Sequence, residues 1–227
     1  MKKIKHISDT HGYHELLTIE DDIDIIIHSG DFTNSKNFYS NEPEAHNFLH
    51  WYSKLKPKTK ILVAGNHDAY PAIYNRGFRE LCLNFGIIYL ENESIDIDGL
   101  KIWGSPITPT FNDWYFMRNR GKMDVLYSSI PEDTDIVITH GPPKGILDLS
   151  YNHNHQLEFC GCKSLRNHLL NRVKPKLSLF GHIHNNNDVL NQGFMKINGC
   201  DTIFSNGSVV RDRSFGTLSS NGNTFKL

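Results

Sequence analysis

Five stretches of this 227-residue chain place metal-binding side chains directly behind runs of Ile, Val and Leu. Ile4–Ser8 leads into Asp9-Thr10-His11, Ile23–Ser29 into Gly30-Asp31, and Lys60–Ala64 into Gly65-Asn66-His67-Asp68. Asp135–Thr139 leads into His140-Gly141-Pro142-Pro143, and Leu177–Phe180 into Gly181-His182-Ile183-His184. Asp9, His11, Asp31, Asn66, His140, His182 and His184 combine imidazole, carboxylate and amide oxygen with no thiolate. That chemistry suits Mn, Fe, Zn or Ni and disfavours a structural zinc site or a calcium cage. Seven ligands are too many for one ion and natural for two that share a carboxylate. Taken singly, Asp9, Asp31 and Asn66 read as ordinary turn residues after strands; the joint placement carries the metal reading.

The elements that must position these residues are legible as patterns. Near-continuous apolar runs of this length are strands buried on both faces, and sites in such sheets form beyond the carboxyl ends of the strands. Glycines before Asp31, Asn66 and His182 suit tight turns that aim the next side chain at the site. Helices are expected over Pro43–Leu55, Pro71–Phe85 and Lys163–Val173, with each proline in a first turn. Between Ile87 and Trp103 the chain reads as three short strands split at Glu91-Asn92 and Asp98-Gly99, the second a hairpin signal. The tail from Val189 reads as strands with turns at Asn198-Gly199, Asn206-Gly207 and Asn221-Gly222. The class is α/β with mixed sheets and a β-rich C-terminus, in one domain over residues 1–227.

In this order, Asp-x-His, Gly-Asp, Gly-Asn-His-Asp, His-Gly-Pro-Pro and Gly-His-x-His resemble the full signature of the calcineurin-like metallophosphoesterases, spanning Asp9 to His184. Gly30-Asp31-Phe32-Thr33, Gly104-Ser105-Pro106, Gly161-Cys162 and Pro175-Lys176-Leu177 are similar to stretches in the branch that includes the mammalian metallophosphoesterase-domain proteins. Some members of that branch lack the last histidine of Gly-His-x-His, which His184 supplies here. The resemblance implies two mixed β-sheets packed as a sandwich between helices, a four-layer αββα fold. It implies that Asp9, His11 and His184 hold one divalent ion, that Asn66, His140 and His182 hold the other, and that Asp31 bridges them. Mn²⁺ is favoured, with Fe, Zn or Ni as alternatives. His67 would face the substrate as general acid, its ring fixed by Asp68. Two such ions bring a bridging water toward neutral pKa, and the hydroxide attacks phosphorus in line with the leaving oxygen.

The remaining chemistry-bearing residues read more blandly. His6 and His28 lie inside strands and are expected in the core; His14, His46, His50 and His168 are expected on surfaces. His153-Asn154-His155 followed by Cys160-Gly161-Cys162 fits no strong zinc spacing, but the loop follows His140 and makes His155 a substrate-contact candidate. Arg120, in a loop with Trp114, Tyr115, Phe116 and Arg118, is a candidate phosphate ligand beside an aromatic base-stacking wall. Asn185-Asn186-Asn187 reads as a polar turn.

The bulk properties set limits. Hydrophobic residues make up 38% and charged residues 22%, and the formal charge is −1, so nothing global points to nucleic acid or an anionic membrane. No apolar run approaches a membrane span, and Met1-Lys2-Lys3-Ile4-Lys5-His6 has no signal-peptide core. The expected setting is cytoplasmic, with Cys82, Cys160, Cys162 and Cys200 as free thiols. The expected partner is a small phosphoester, with cyclic nucleotides, 2′,3′-cyclic first, as leading candidates. The competing readings are a monoesterase, phosphoprotein phosphatase or nuclease of the same fold, and a scaffold that has lost catalysis.

Overall fold

Strands that are apolar on both faces need a packed layer on each side, and in the computed structural model they find it. The structure describes residues 1–186, 188–211 and 217–227. Among these, the strands in chain order are β1 (Lys3–Ile7), β2 (Ile25–His28), β3 (Thr59–Leu62), β4 (Ile88–Tyr89) and β5 (Glu93–Ile97). Then come β6 (Leu100–Ser105), β7 (Thr108–Pro109), β8 (Met117–Arg118), β9 (Ile136–Thr139) and β10 (Leu149–Tyr151). The last five are β11 (Leu157–Phe159), β12 (Leu177–Phe180), β13 (Gly193–Met195), β14 (Ile203–Asn206) and β15 (Asn223–Lys226). Helices are α1 (Phe38–Lys54), α2 (Ala69–Ile73), α3 (Asn75–Asn84), α4 (Met123–Tyr127) and α5 (Lys163–His168).

One mixed sheet runs β15-β1-β2-β3-β4 and the other β13-β14-β12-β9-β6-β5. In each, the inner strands are parallel and an antiparallel strand closes an edge. The side-chain period of two sorts each strand between two cores. Ile4, Ile25, Ile27 and Ile61 meet Ile136, Ile138, Leu177 and Leu179 between the sheets. Ile26, Leu62 and Ala64 point outward to α1, α2 and α3, and Val137 and Phe180 point outward to α4 and α5. Three cores between four layers give the αββα arrangement, with each fully buried aliphatic side chain contributing about 1.5–3 kcal/mol of transfer free energy.

Element ends differ from the pattern in instructive ways. α1 begins at Phe38, not Pro43, because Asn37 caps it by accepting Tyr39 N at 3.0 Å. Pro43 sits one turn in, where its missing N–H removes the bond to the Tyr39 carbonyl. The segment after Pro71 is two helices, α2 and α3, broken at Tyr74, while α5 runs on as a π turn over Leu169–Val173 and stops at left-handed Lys174 (φ 49°). His6 and His28 are fully buried, and burial lowers both to about 3, so each is a neutral ring. His14 is also buried, bonded to Asn47 at 2.7 Å and packed on Phe48 and Trp51; the sequence reading had placed it on the surface. No helix among the described residues is long and apolar enough to cross a membrane. Asn187 lies outside the described residues, but Asn185 Oδ1 accepts from Asn191 N and Gln192 N as a turn residue should.

Candidate active site

The five strand ends converge along the seam between the two sheets. β1, β2 and β3 deliver Asp9, His11, Asp31, Asn66 and His67; β9 and β12 deliver His140, His182 and His184. Four of these residues leave their strands through the left-handed region: Asp9 (φ 52°), His11 (43°), Asp31 (57°) and His182 (70°). Non-glycine residues there are uncommon, and such conformations cluster where a scaffold forces side chains onto a site. Asp9, His11, Asp31, Asn66 and His140 are all buried.

Side chains meet at ligand distances. His184 Nε2 lies 3.0 Å from Asp9 Oδ1, and His11 Nε2 lies 3.4 Å from His184 Nε2. His140 Nε2 lies 2.9 Å from Asn66 Oδ1 and 3.3 Å from Asp31 Oδ2, which is also 3.9 Å from His11 Nε2. Ligand atoms group as Asp9, His11 and His184, and as Asp31, His140 and His182, each set within 4.8 Å of one another. A third grouping, His11, Asp31 and His67, sits between them. The far nitrogens are held by carbonyls: His11 Nδ1 by Thr33 O (3.1 Å), His140 Nδ1 by Ser29 O (3.0 Å) and His184 Nδ1 by Arg211 O (3.2 Å). A carbonyl can only accept, so Nδ1 carries the proton and Nε2 faces the centre, the orientation a metal-ligating imidazole needs.

Charge follows from these contacts. Against a burial penalty that pushes upward, the imidazoles of His184, His140 and His11 hold Asp9 well below the carboxylate range. His140, His67 and His11 do the same for Asp31, again against burial. His140 overcomes burial through Asp31 and rises to about 9, and Asp9 raises His184 in the same way; both rings face acceptors on both nitrogens. His11 and His182 are lowered to about 3 by burial. The two carboxylates draw protons onto His140 and His184, positive charge that bound cations would replace. The donor set fits a pair of borderline divalent ions.

The expectation that Asp68 steadies the ring of His67 is corrected. Asp68 Oδ2 accepts from Asp31 N (2.9 Å) and Gly65 N (2.7 Å), and Oδ1 from Thr33 N (3.0 Å) and Thr33 Oγ1 (2.7 Å). Burial and the neighbouring Asp31 push the Asp68 carboxyl up to about 8, against the hydrogen bonds it accepts from Thr33 and Gly65. Asp68 therefore ties the β2 turn to the β3 turn. The ring of His67 is held by Asn34 O, 2.9 Å from Nδ1, and by Trp114, whose ring centroid lies 4.2 Å away at 31°.

These groups open onto a cleft of about 580 Å³, a size ordinary for a small-molecule site. Arg120 lines it, its guanidinium donating to Cys160 O (2.9 Å) and Gly161 O (3.2 Å). His155 does not. It sits exposed at the tip of the β10–β11 hairpin, in a turn closed by His155 N and Asn152 O at 2.9 Å. The hairpin does reach the cleft, through Ser150, Glu158 and Phe159. Among the described residues no metal-ligand grouping joins His153 or His155 to Cys160 or Cys162. The aromatic wall is likewise not Trp114, which covers His67, but Phe111 and Phe159, with Phe111 4.9 Å from the ring of His182. Lys144, Glu158, Phe111 and Phe159 lie in irregular or hairpin segments with no strand-end signal, and the sequence reading passed over them.

The glycines before the ligands are required for space more than for turning. Gly30 has φ +110°, but Gly65 and Gly181 have no positive φ. A Cβ on Gly181 would collide with Asp9 Oδ2 and Ser8 Oγ, and one on Gly65 with Asp31 Oδ1. Gly181→Ala is expected to weaken ion binding about 10–100-fold, the range for displaced supporting contacts, by competition against a chromophoric chelator. Gly199→Ala, where a Cβ meets nothing within 4 Å, should leave affinity unchanged. Equal affinities in the two variants would refute the crowding argument.

Comparison with known proteins places the chain. The pattern of the calcineurin-like phosphoesterases matches residues 2–186. Metallophosphoesterase domain-containing protein 1 of Homo sapiens is 32% identical over 211 residues, which cover 82% of this chain and 62% of the human protein. A UPF0046 protein of Caenorhabditis elegans is 36% identical over 202 residues, covering 82% of this chain and 70% of the worm protein. The match thus takes in less than two thirds of the human relative's length. A solved crystal structure, 16% identical, superposes with a TM-score of 0.61 over 90% of each chain, a likeness of fold. With five motifs at five strand ends, the four-layer sandwich and this family-wide match, the chain belongs to the calcineurin-like phosphoesterases.

Proposed function

We propose that the chain hydrolyses phosphodiesters at a two-ion centre in which Asp9, His11 and His184 hold one ion, Asn66, His140 and His182 the other, and Asp31 both. The observation that carries this reading is the set of three imidazoles turned by backbone carbonyls so that Nε2 faces two buried carboxylates. Bound divalent transition ions, Mn²⁺ before Fe, Zn or Ni, supply Lewis-acid stabilisation of phosphoryl charge and a nucleophile at neutral pH. The chain's own residues do the rest. His67, with Nδ1–H donating to Asn34 O, acts as the imidazolium: its Nε2 proton passes to the leaving alkoxide and the ring is left neutral. The Asn66 amide and the Arg120 N–H groups not used by Cys160 and Gly161 bind non-bridging oxygens. Residues 1–227 act as one unit in this reading, since β15 near the end pairs with β1 near the start.

Charge supports a diester. Among the described residues, the charged side chains outside the ligand cluster that line the cleft are Arg120, Lys144 and Glu158: two cations against one anion, suited to a singly charged diester rather than a doubly charged monoester. Phe111 and Phe159 offer faces for a nucleobase, and the strained ring of a 2′,3′-cyclic nucleotide is intrinsically easier to open. Lys144 is also the observation that favours a monoester as second reading. Both are tested by one series. Chelation should abolish hydrolysis and Mn²⁺ restore it; kcat/KM should then favour 2′,3′-cyclic over 3′,5′-cyclic nucleotides, and both over nucleoside monophosphates and a phosphopeptide. Full activity in metal-free protein would end the two-ion reading, a preference for monoesters the diester reading, and inertness on every ester would favour a scaffold.

A further inference from the structure

The loop between β7 and β8 is built at some cost to place one side chain. Asn112 (φ 47°) and Phe116 (φ 52°) flank Trp114 in the left-handed region, and a bulky residue such as Phe there is a true outlier that surrounding structure must enforce. The enforcement is visible. Thr108 N donates to Phe116 O at 2.9 Å, Tyr115 N to Asn66 O at 3.3 Å, and Tyr115 Oη to Lys36 O at 3.3 Å. Lys36 Nζ lies 5.2 Å from the Trp114 ring and 3.1 Å from Asp113 Oδ2. The loop is thereby sewn both to the Asn66 backbone and to the 34–36 segment, whose Asn34 and Ser35 N–H groups donate to Glu44 on α1.

What this construction achieves is a closed seat for one imidazole. The ring of His67 has its Nδ1 on Asn34 O, its face under Trp114 at 4.2 Å and 31°, and the ring of His11 edge-on at 4.7 Å and 80°. His67 lines the cleft and Trp114 packs behind its ring, outside the cleft lining. We propose that Trp114 is a positioning residue: it fixes the plane of His67 so that Nε2 stays aimed at the leaving oxygen. The inference rests on the reading of His67 as general acid. Small displacements of a proton donor are costly, about 10²-fold for 1 Å, and the stacked indole opposes a swing of the ring about its Nδ1 contact.

The experiment is a leaving-group series: kcat/KM for aryl and alkyl phosphodiesters of rising leaving-group pKa, on Mn²⁺-loaded wild type, Trp114→Ala, Trp114→Phe and His67→Ala, with metal content and Tm recorded. A proton donor matters for poor leaving groups and little for good ones. Trp114→Ala is expected to lose about 10–10²-fold on alkyl esters, about 3-fold or less on activated aryl esters, and no metal; Trp114→Phe should recover most of the loss. In metal-free protein, the His67 ring-proton resonances should be shifted upfield by the indole and move in Trp114→Ala. A loss equal across the series, no loss, or unmoved His67 resonances would overturn the proposal while a steep His67→Ala series left the general acid standing. A flat His67→Ala series would instead remove the general acid, and Trp114's role with it.

Discussion

Asp31→Asn is expected to leave neither ion bound at micromolar free Mn²⁺, and kcat/KM should fall by about three to four decades. Asp31 Oδ2 lies 3.3 Å from His140 Nε2 and 3.9 Å from His11 Nε2, so it reaches a histidine of each ligand group. The amide keeps the shape and can still accept from His67 N, now 2.7 Å from Oδ1, so the turn persists. What is lost is the charge between two cations. Lewis-acid stabilisation is worth several kcal/mol, and 1.36 kcal/mol is a decade. Asp9→Asn, whose carboxylate groups with His11 and His184, should weaken mainly one ion. Metal counting on both variants decides the matter: equal, near-complete occupancies would show that Asp31 is not the bridge.

His67→Ala is expected to keep both ions and lose about 10²–10⁴-fold in kcat on esters with poor leaving groups, the range for removing a general acid. The geometry makes this a sharp test, because His67 shares a possible ligand grouping with His11 and Asp31. A protein that loses metal on this substitution has His67 as a ligand. Retained metal with a large, leaving-group-dependent loss has it as the acid.

Much of this site was legible because strand ends are a one-dimensional signal. Apolar runs ending in Asp, Asn or His give both the element and the position of its functional residue, so Asp9, Asp31, Asn66 and His140 could be placed before any coordinates. Helix starts were less legible: Asn37 caps α1 through a side-chain bond that competes with the simpler signal of Pro43. The cleft walls were not legible. His155 and Phe159 lie in the same hairpin, and only the geometry of the turn decides which reaches inward. The partner of His67 was misread for a related reason. Asp68 is adjacent in sequence, but the β3 turn directs its carboxylate to Asp31 and Thr33, and the ring finds Asn34 and Trp114 from other loops.

The seam between the sheets has a mechanical consequence. One sheet carries Asp9, His11, Asp31 and Asn66 and the other carries His140, His182 and His184, so ions held as proposed would act as rivets across two plates packed on a face of Ile and Leu and tied at the site end by Ser8 N to Gly207 O and His140 Nδ1 to Ser29 O. Shear of one plate against the other then changes ligand spacing directly. Volume changes in that face, such as Ile4→Val or Leu177→Ala at the strand ends far from the ligands, would alter how the plates register, and metal affinity would become a gauge of packing several residues away.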